Sequence, residues 1–316
     1  MLLPDTENAP AALAVVKAAF APTGGLDDMQ QRLIDDMAQI MYGLDYGATA
    51  DLTDEVLETL PYETRLEALH LMVVVELMEH PLRPEVAQSV LEFAEKLNLP
   101  IQLLEDARHL ADEQIAFAYL DFQRHGWYAH ETLRESAHGK WLELLRSKIA
   151  YIGIIPDKKI AQRWEALLVC PDGSWGRAVA QFYLDHKFPF PGEKHGIFEV
   201  GARHDWMHVL CGYGTEPAGE LNVFAFIAAS MNDSRGLVLL AVTLGLFQNG
   251  TIKHVGMKRI ENASTDTLSI PGVLEQWADS FRRGAQCRVD VMGTVDLFAY
   301  KDMALDEARD FFGVVP

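Results

Sequence analysis

The chain has 316 residues, 49% of them hydrophobic and 23% charged, a composition that fits a soluble globular protein and argues against wholesale disorder, a collagen-like repeat or a mucin-like stalk. At about 150 residues per domain, this length predicts two domains or one large one. The 46 acids against 27 bases give a net charge of −19, and such a chain lacks the basic footprint that nucleic-acid phosphates require.

The charge is unevenly spread. Residues 1–130 hold 23 acids and 7 bases, whereas residues 131–316 hold 23 and 20. The excess sits in the first part, where it reads as a solvated face or as a surface for a basic protein partner. Cys170, Cys211 and Cys287 are too few for a disulfide framework and lack the close spacing of a zinc site, so a reducing cytoplasm is the expected compartment. The longest apolar run, Gly236 to Phe247, is short of the about 20 residues that span a bilayer. Met1 to Pro10 carries Asp5 and Glu7 and no base, which fits neither a secretory signal nor a mitochondrial presequence.

The elements read as helices throughout. Leu26, Met29, Leu33, Met37, Ile40 and Leu44 recur every three or four positions and mark one buried stripe. Pro61 and Pro84 each precede an apolar-periodic stretch, the place where proline starts a helix. Leu66, Leu69, Val73 and Leu77 form one stripe, and Val86, Val90, Phe93 and Leu97 form another that closes at Asn98. Ile101 to Gln123 is a further helix candidate. These helices are similar to the tellurite-resistance TerB-like helical domain, although no metal-binding acidic cluster accompanies the likeness. Tyr128 to Lys148 reads as a connecting helix, and Tyr151 to Pro156 breaks the pattern. The expected organisation is therefore an acidic helical domain at 1–130, a connecting helix and linker at 131–156, and a second helical domain at 157–316.

In the second domain the expected helices are 157–169, 175–186 with Ser174 as cap, 198–211, 217–231, 237–247, 273–291 and 305–312. Cys170 to Ser174 reads as a turn and Phe188 to Gly192 as a loop. The fold class expected is all-α.

The informative segment is His204-Asp205-Trp206-Met207-His208. On a helix the two histidines are one turn apart and share a face, with Asp205 beside it and Trp206, Met207 and Leu210 turned toward the core. Gly212 to Glu216 is short enough to reverse the chain, and Glu220 then falls in the first turn of the next helix. Antiparallel packing of the two helices would bring Glu220 level with His208. Two imidazoles and two carboxylates suit zinc, iron, manganese or cobalt. The alternatives are a chance pairing of histidines on a helix, or a buried polar network in which Asp205 orients a histidine without an ion.

His204-Asp205-x-x-His208, eleven residues and then Glu220 resembles the signature of the coenzyme Q biosynthesis protein four family. Pro171-Asp-Gly-Ser-Trp-Gly-Arg177 with Phe182, Gly219-Glu220, Trp277 to Gly284, Asp290 and Leu305 to Val314 extend the likeness over roughly residues 157–316. Residues 1–130 depart from the family pattern. The resemblance implies an all-helical fold, a divalent metal held by His204, Asp205, His208 and Glu220, and a prenylated lipid substrate. It implies oxidative decarboxylation and hydroxylation of the prenylated hydroxybenzoate ring in ubiquinone biosynthesis. It also implies assembly with other biosynthetic enzymes and peripheral membrane contact. A homo-oligomer is expected.

Arg203 is either an anchor for a substrate carboxylate or a helix-surface arginine, and Tyr213 is a second substrate-contact candidate. Leu221 to Ala229 and Leu237 to Phe247 are apolar on nearly all sides and read either as a prenyl-tail lining or as core helices. Two other functions compete. One is a non-enzymatic lipid-binding scaffold for a quinone-biosynthesis complex. The other is a histidine–aspartate phosphohydrolase, which would recruit His186 or His195 and Asp233.

Overall fold

A computed structural model of the chain describes residues 1–45, 52, 57, 59–79, 83–99, 156–197, 199, 201–231, 233, 235–249 and 266–315. The expected helices at 101–123 and 128–148, with His80, His109, His130 and His138, lie outside the described residues. Within them the fold is all-α, as expected, with twelve helices and no strand. In chain order these are α1 (Ala9–Phe20), α2 (Asp28–Met37), α3 (Tyr62–Leu77), α4 (Pro84–Lys96), α5 (Lys158–Glu165) and α6 (Trp175–Asp185). They continue with α7 (Arg203–Cys211), α8 (Pro217–Ser230), α9 (Arg235–Phe247), α10 (Val273–Ala285), α11 (Val291–Thr294) and α12 (Leu305–Phe312).

The helices group into two compact units that do not follow the chain consecutively. Met1–Asp121 and Thr215–Gln286 make the first, and Phe122–Gly214 and Cys287–Pro316 make the second. The sequence boundary at 130 falls among residues that are not described, and the expected 157–316 stretch contributes to both units. Helices α8 to α10 join α1 to α4, because α8 and α9 are apolar all round and need partners on every side.

In the first unit α8 packs on α9 and α10, α10 on α2, and α3 on α1, α4 and α9. Close approach is allowed by small residues. A Cβ on Gly284 would meet the Phe226 carbonyl at 2.3 Å, and one on Gly236 would meet the Ala228 carbonyl at 2.5 Å. Trp277 Nε1–H donates to the Leu221 carbonyl at 3.0 Å, tying α10 to α8. Leu221, Phe226, Ile227, Leu237, Leu240 and Leu244 are buried in this core, so α8 and α9 act as core helices here. Helix α2 begins with a capping box in which Asp27 accepts from Met29 and Gln30 N–H groups and Gln30 returns a bond. Pro61 and Pro84 sit at the starts of α3 and α4 as expected, and Asn98 ends α4 with a φ of 55°. His70, buried in α3, accepts the Leu2 N–H at 2.8 Å, and burial holds its pKa down at about 3.

The second unit is built around tryptophans. Trp164, Trp175 and Trp206 are fully buried, with Trp175 edge-on to Trp206 at 5.1 Å and Trp164 edge-on to Phe298 at 5.4 Å. Asp157 caps α5 and Ser174 caps α6. Gly176 lets α6 lie against the Lys301 main chain, accepting no side chain there: a Cβ would sit 2.7 Å from the Lys301 carbonyl. Three expected boundaries change, the first being the helix expected at 157–169, which is α-helical to Glu165 and continues as a 3-10 turn over Ala166–Val169. The helix expected at 198–211 starts at Arg203, and the one expected at 273–291 stops at Ala285, after which Asp290 caps the separate turn α11 through the Gly293 N–H at 2.7 Å. No disulfide joins the three cysteines. No helix of the described residues is long and apolar enough to cross a membrane.

Candidate metal centre

Helix α7 carries the cluster and is fixed at both ends. Arg203 opens it and donates from Nε to the Met292 carbonyl at 2.7 Å and from Nη2 to the Val295 carbonyl at 2.8 Å. These bonds tie α7 to the α11 segment and give Arg203 a structural position. At the other end Gly212 takes a left-handed φ of 77° and its N–H closes on the His208 carbonyl at 2.8 Å. Arg309, from α12, donates to the Leu210 carbonyl at 2.8 Å and places a cation at the negative end of the helix. Trp206, Met207 and Leu210 face the core and are fully buried, as their spacing predicts.

The opposite face gathers His204, Asp205 and His208, whose ligand atoms all lie within 4.8 Å of one another. His204 Nε2 is 3.3 Å from Asp205 Oδ1, with side-chain exposures of 16% and 8%. The rings of His204 and His208 are 5.3 Å apart at 68°. Asp205 lies in the first turn of α7, where the helix dipole favours a negative charge.

Each of the three is supported from behind. His204 Nδ1 lies against the Gly201 carbonyl and His208 Nδ1 is 3.3 Å from the Tyr213 carbonyl. A carbonyl oxygen only accepts, so each Nδ1 carries a proton, and in the neutral imidazole each Nε2 carries the lone pair. Tyr183, on α6, donates its hydroxyl to Asp205 Oδ2, which leaves Oδ1 toward the histidines. Burial first, then the Asp205 charge, pushes the Tyr183 pKa well above its usual value, so the phenol keeps its proton. Phe182 stacks on His208 with centroids 5.8 Å apart and planes at 20°.

The donor set therefore fits a divalent ion. In this tautomer His204 Nε2 and Asp205 Oδ1 are two acceptors 3.3 Å apart, which repel unless a cation or a proton lies between them. Two such donors each about 2.1 Å from one ion would subtend about 100° at it, near the tetrahedral angle. Histidines backed by carbonyls, with a carboxylate backed by a hydroxyl, match the outer shell that orients metal ligands.

Glu220 lies half-buried in the first turn of α8, in the first unit. His186 is exposed, with Nδ1 2.8 Å from the Phe182 carbonyl, and His195 is an exposed turn residue with φ of 66°. Asp233 belongs to the first unit; burial raises its pKa, but the bonds from Arg235 more than offset this and hold its carboxyl below the usual range. Tyr183 escaped the sequence reading because its spacing with Trp175 and Val179 is that of a core stripe. No protein-family model matches the sequence, and no curated protein matches it.

Proposed function

We propose that this protein is a metal-dependent enzyme acting on the head group of a prenylated aromatic acid, a quinone precursor, by oxidative decarboxylation and hydroxylation as in ubiquinone biosynthesis. The observation that carries the reading is the His204, Asp205 and His208 cluster with its three backing groups. Glu220 enters as fourth ligand on the sequence spacing alone, and the prenyl tail enters on the resemblance alone.

The reaction breaks the ring–carboxylate bond, releases carbon dioxide and forms a carbon–oxygen bond at the same carbon with an oxygen from water, while dioxygen takes up the two electrons and two protons and leaves as hydrogen peroxide. Zinc, iron, manganese or cobalt bound there would draw electron density from a substrate phenolate or carboxylate, and all but zinc would add redox chemistry. The histidines offer neutral nitrogens and Asp205 an anionic oxygen that offsets cationic charge. Gly201, Tyr213 and Tyr183 hold these atoms in place, and the Phe182 ring beside His208 offers a flat apolar surface that suits an aromatic head group.

The test is turnover. Protein loaded separately with the four metals is incubated in air with a prenylated 4-hydroxybenzoate, and carbon dioxide and the hydroxylated product are measured. Product that is lost in His208→Ala and Glu220→Ala, with folding retained, supports the reading. Absence of turnover, with lipid and partner binding that survives both substitutions, would replace it with the scaffold. Hydrolysis of generic phosphate esters would replace it with the phosphohydrolase.

A further inference from the structure

We infer that Tyr183 is a positioning residue of the metal centre: its hydroxyl, donating to Asp205 Oδ2, confines Asp205 to binding an ion through Oδ1 alone. This rests on the metal reading above and deepens it. An aspartate has two equivalent oxygens and can grip an ion with one or both. Here the choice is removed, because Oδ2 accepts the buried phenol while Oδ1 faces His204 at 3.3 Å.

The phenol is well placed to impose this. Tyr183 is 1% exposed and its ring is clamped, stacked on Phe190 at 5.2 Å and 17° and tilted against Trp164 at 5.4 Å. The hydroxyl thus cannot follow Asp205 if the carboxylate swings. A side chain locked by packing is what holds a coordinating group to a fixed geometry. The consequence is an economy of sites. A one-oxygen aspartate leaves a coordination position that a two-oxygen aspartate would fill, and a substrate oxygen needs such a position. Tyr183 touches neither substrate nor ion and acts only through Asp205.

The experiment is cobalt(II) binding to the full chain, followed by the visible d–d absorption and by competition with a chromophoric chelator. Tyr183→Phe removes the hydroxyl and keeps the ring. It is expected to weaken cobalt binding about 10- to 100-fold and to change the band's position and intensity, as the carboxylate binding mode changes. In an Asp205→Asn background, adding Tyr183→Phe is expected to cause no further loss, because the two act as one unit. Phe190→Leu loosens the clamp but keeps the hydroxyl, so it is expected to weaken cobalt binding clearly less than Tyr183→Phe does. Wild-type affinity and spectrum in Tyr183→Phe would overturn the inference while leaving the metal reading intact. Equal weakening by Phe190→Leu, or additive losses with Asp205→Asn, would overturn it too. Should Tyr183→Phe not fold, the infrared carboxylate bands that cobalt shifts in wild type and not in Asp205→Asn decide: widely separated stretches mark one-oxygen binding by Asp205, and closely spaced ones mark two-oxygen binding and overturn the inference. A wild type that binds no cobalt would instead sink the metal reading itself.

Discussion

His204 and Asp205 are neighbours on α7, and their side chains meet, Nε2 to Oδ1, at 3.3 Å. Consecutive helical residues project about 100° apart, so the contact requires both side chains to lean toward a common point. Gly201 and Tyr183 supply the lean from opposite sides, one at His204 Nδ1 and the other at Asp205 Oδ2. The result is a pair of acceptors turned toward each other and toward His208. Without a shared cation or a proton between them this arrangement is costly.

Metal should therefore stabilise the fold. At about 100 times its dissociation constant, a bound ion adds about 2.7 kcal/mol to stability. Scanning calorimetry with and without zinc or cobalt should show the melting temperature rise in wild type and stay unchanged in His208→Ala. Equal shifts in both proteins would contradict the cluster as the binding site.

Arg309 should matter to α7 more than its exposed ion pair with Asp306 suggests. Its bonds to the Leu210 and Val209 carbonyls cap the helix that carries the cluster. Arg309→Ala should cost about 1–2 kcal/mol in urea unfolding, with Arg309→Lys recovering part of it. Asp306→Ala should cost less than about 0.5 kcal/mol, since it removes only the exposed pair.

Arg203 separates two roles. Arg203→Met removes two bonds and strands the Met292 and Val295 carbonyls, so it should destabilise the protein by about 2–3 kcal/mol. An arginine serving only as a substrate anchor would show unchanged urea unfolding and a raised KM.

Gly176→Ala should be disruptive. Its Cβ would stand 2.7 Å from the Lys301 carbonyl and 2.9 Å from the Lys301 Cβ, and both must shift. The expected cost is about 1–3 kcal/mol, read from urea unfolding. Gly173→Ala meets nothing within 4 Å, and its strain comes only from a φ of 77°.

Stability should also depend on pH through Glu67. Burial, with Asp5 and Glu63 nearby, raises its pKa from 4.5 to about 7. The folded state thus favours the protonated form. Its contribution is fully present below the unfolded pKa and is lost as pH rises from 4.5 through about 7. Glu67→Gln should be more stable than wild type above pH 7 and indistinguishable at pH 4. Half exposure limits the gain to about 1 kcal/mol. A gain equal at both pH values would show that charge is not the cause.

Local signals were well written in the sequence. The spacing of Leu305 to Phe312 predicts α12 to the residue, and Pro61, Pro84, Asn98 and Ser174 mark helix ends because each satisfies a backbone requirement of a terminus. Helix α1 left no such signal. Ala9, Ala12, Leu13, Ala14, Val15, Val16, Ala19 and Phe20 are all buried, so no polar face interrupts the run to reveal a period. Apolar α8 and α9 announced burial without naming their partners: α8 packs on α9 and α10, and α9 packs also on α3. The cluster was legible for a similar reason: His204, Asp205 and His208 are brought together by one helix. Tyr183 and the carbonyls of Gly201 and Tyr213 come from outside it, and only tertiary packing or turn geometry places them.

Helix α7 is expected to hold a divalent ion through His204, Asp205 and His208. The direct measurement is the metal content of purified wild type by mass spectrometry, after reconstitution with zinc, iron, manganese and cobalt in turn. Asp205→Ala and His208→Ala are measured beside it, with circular dichroism to confirm folding. About one ion per chain in wild type, lost in both variants, is the predicted result. A well-folded wild type that retains none of the four metals, or variants that retain as much as wild type, would contradict it.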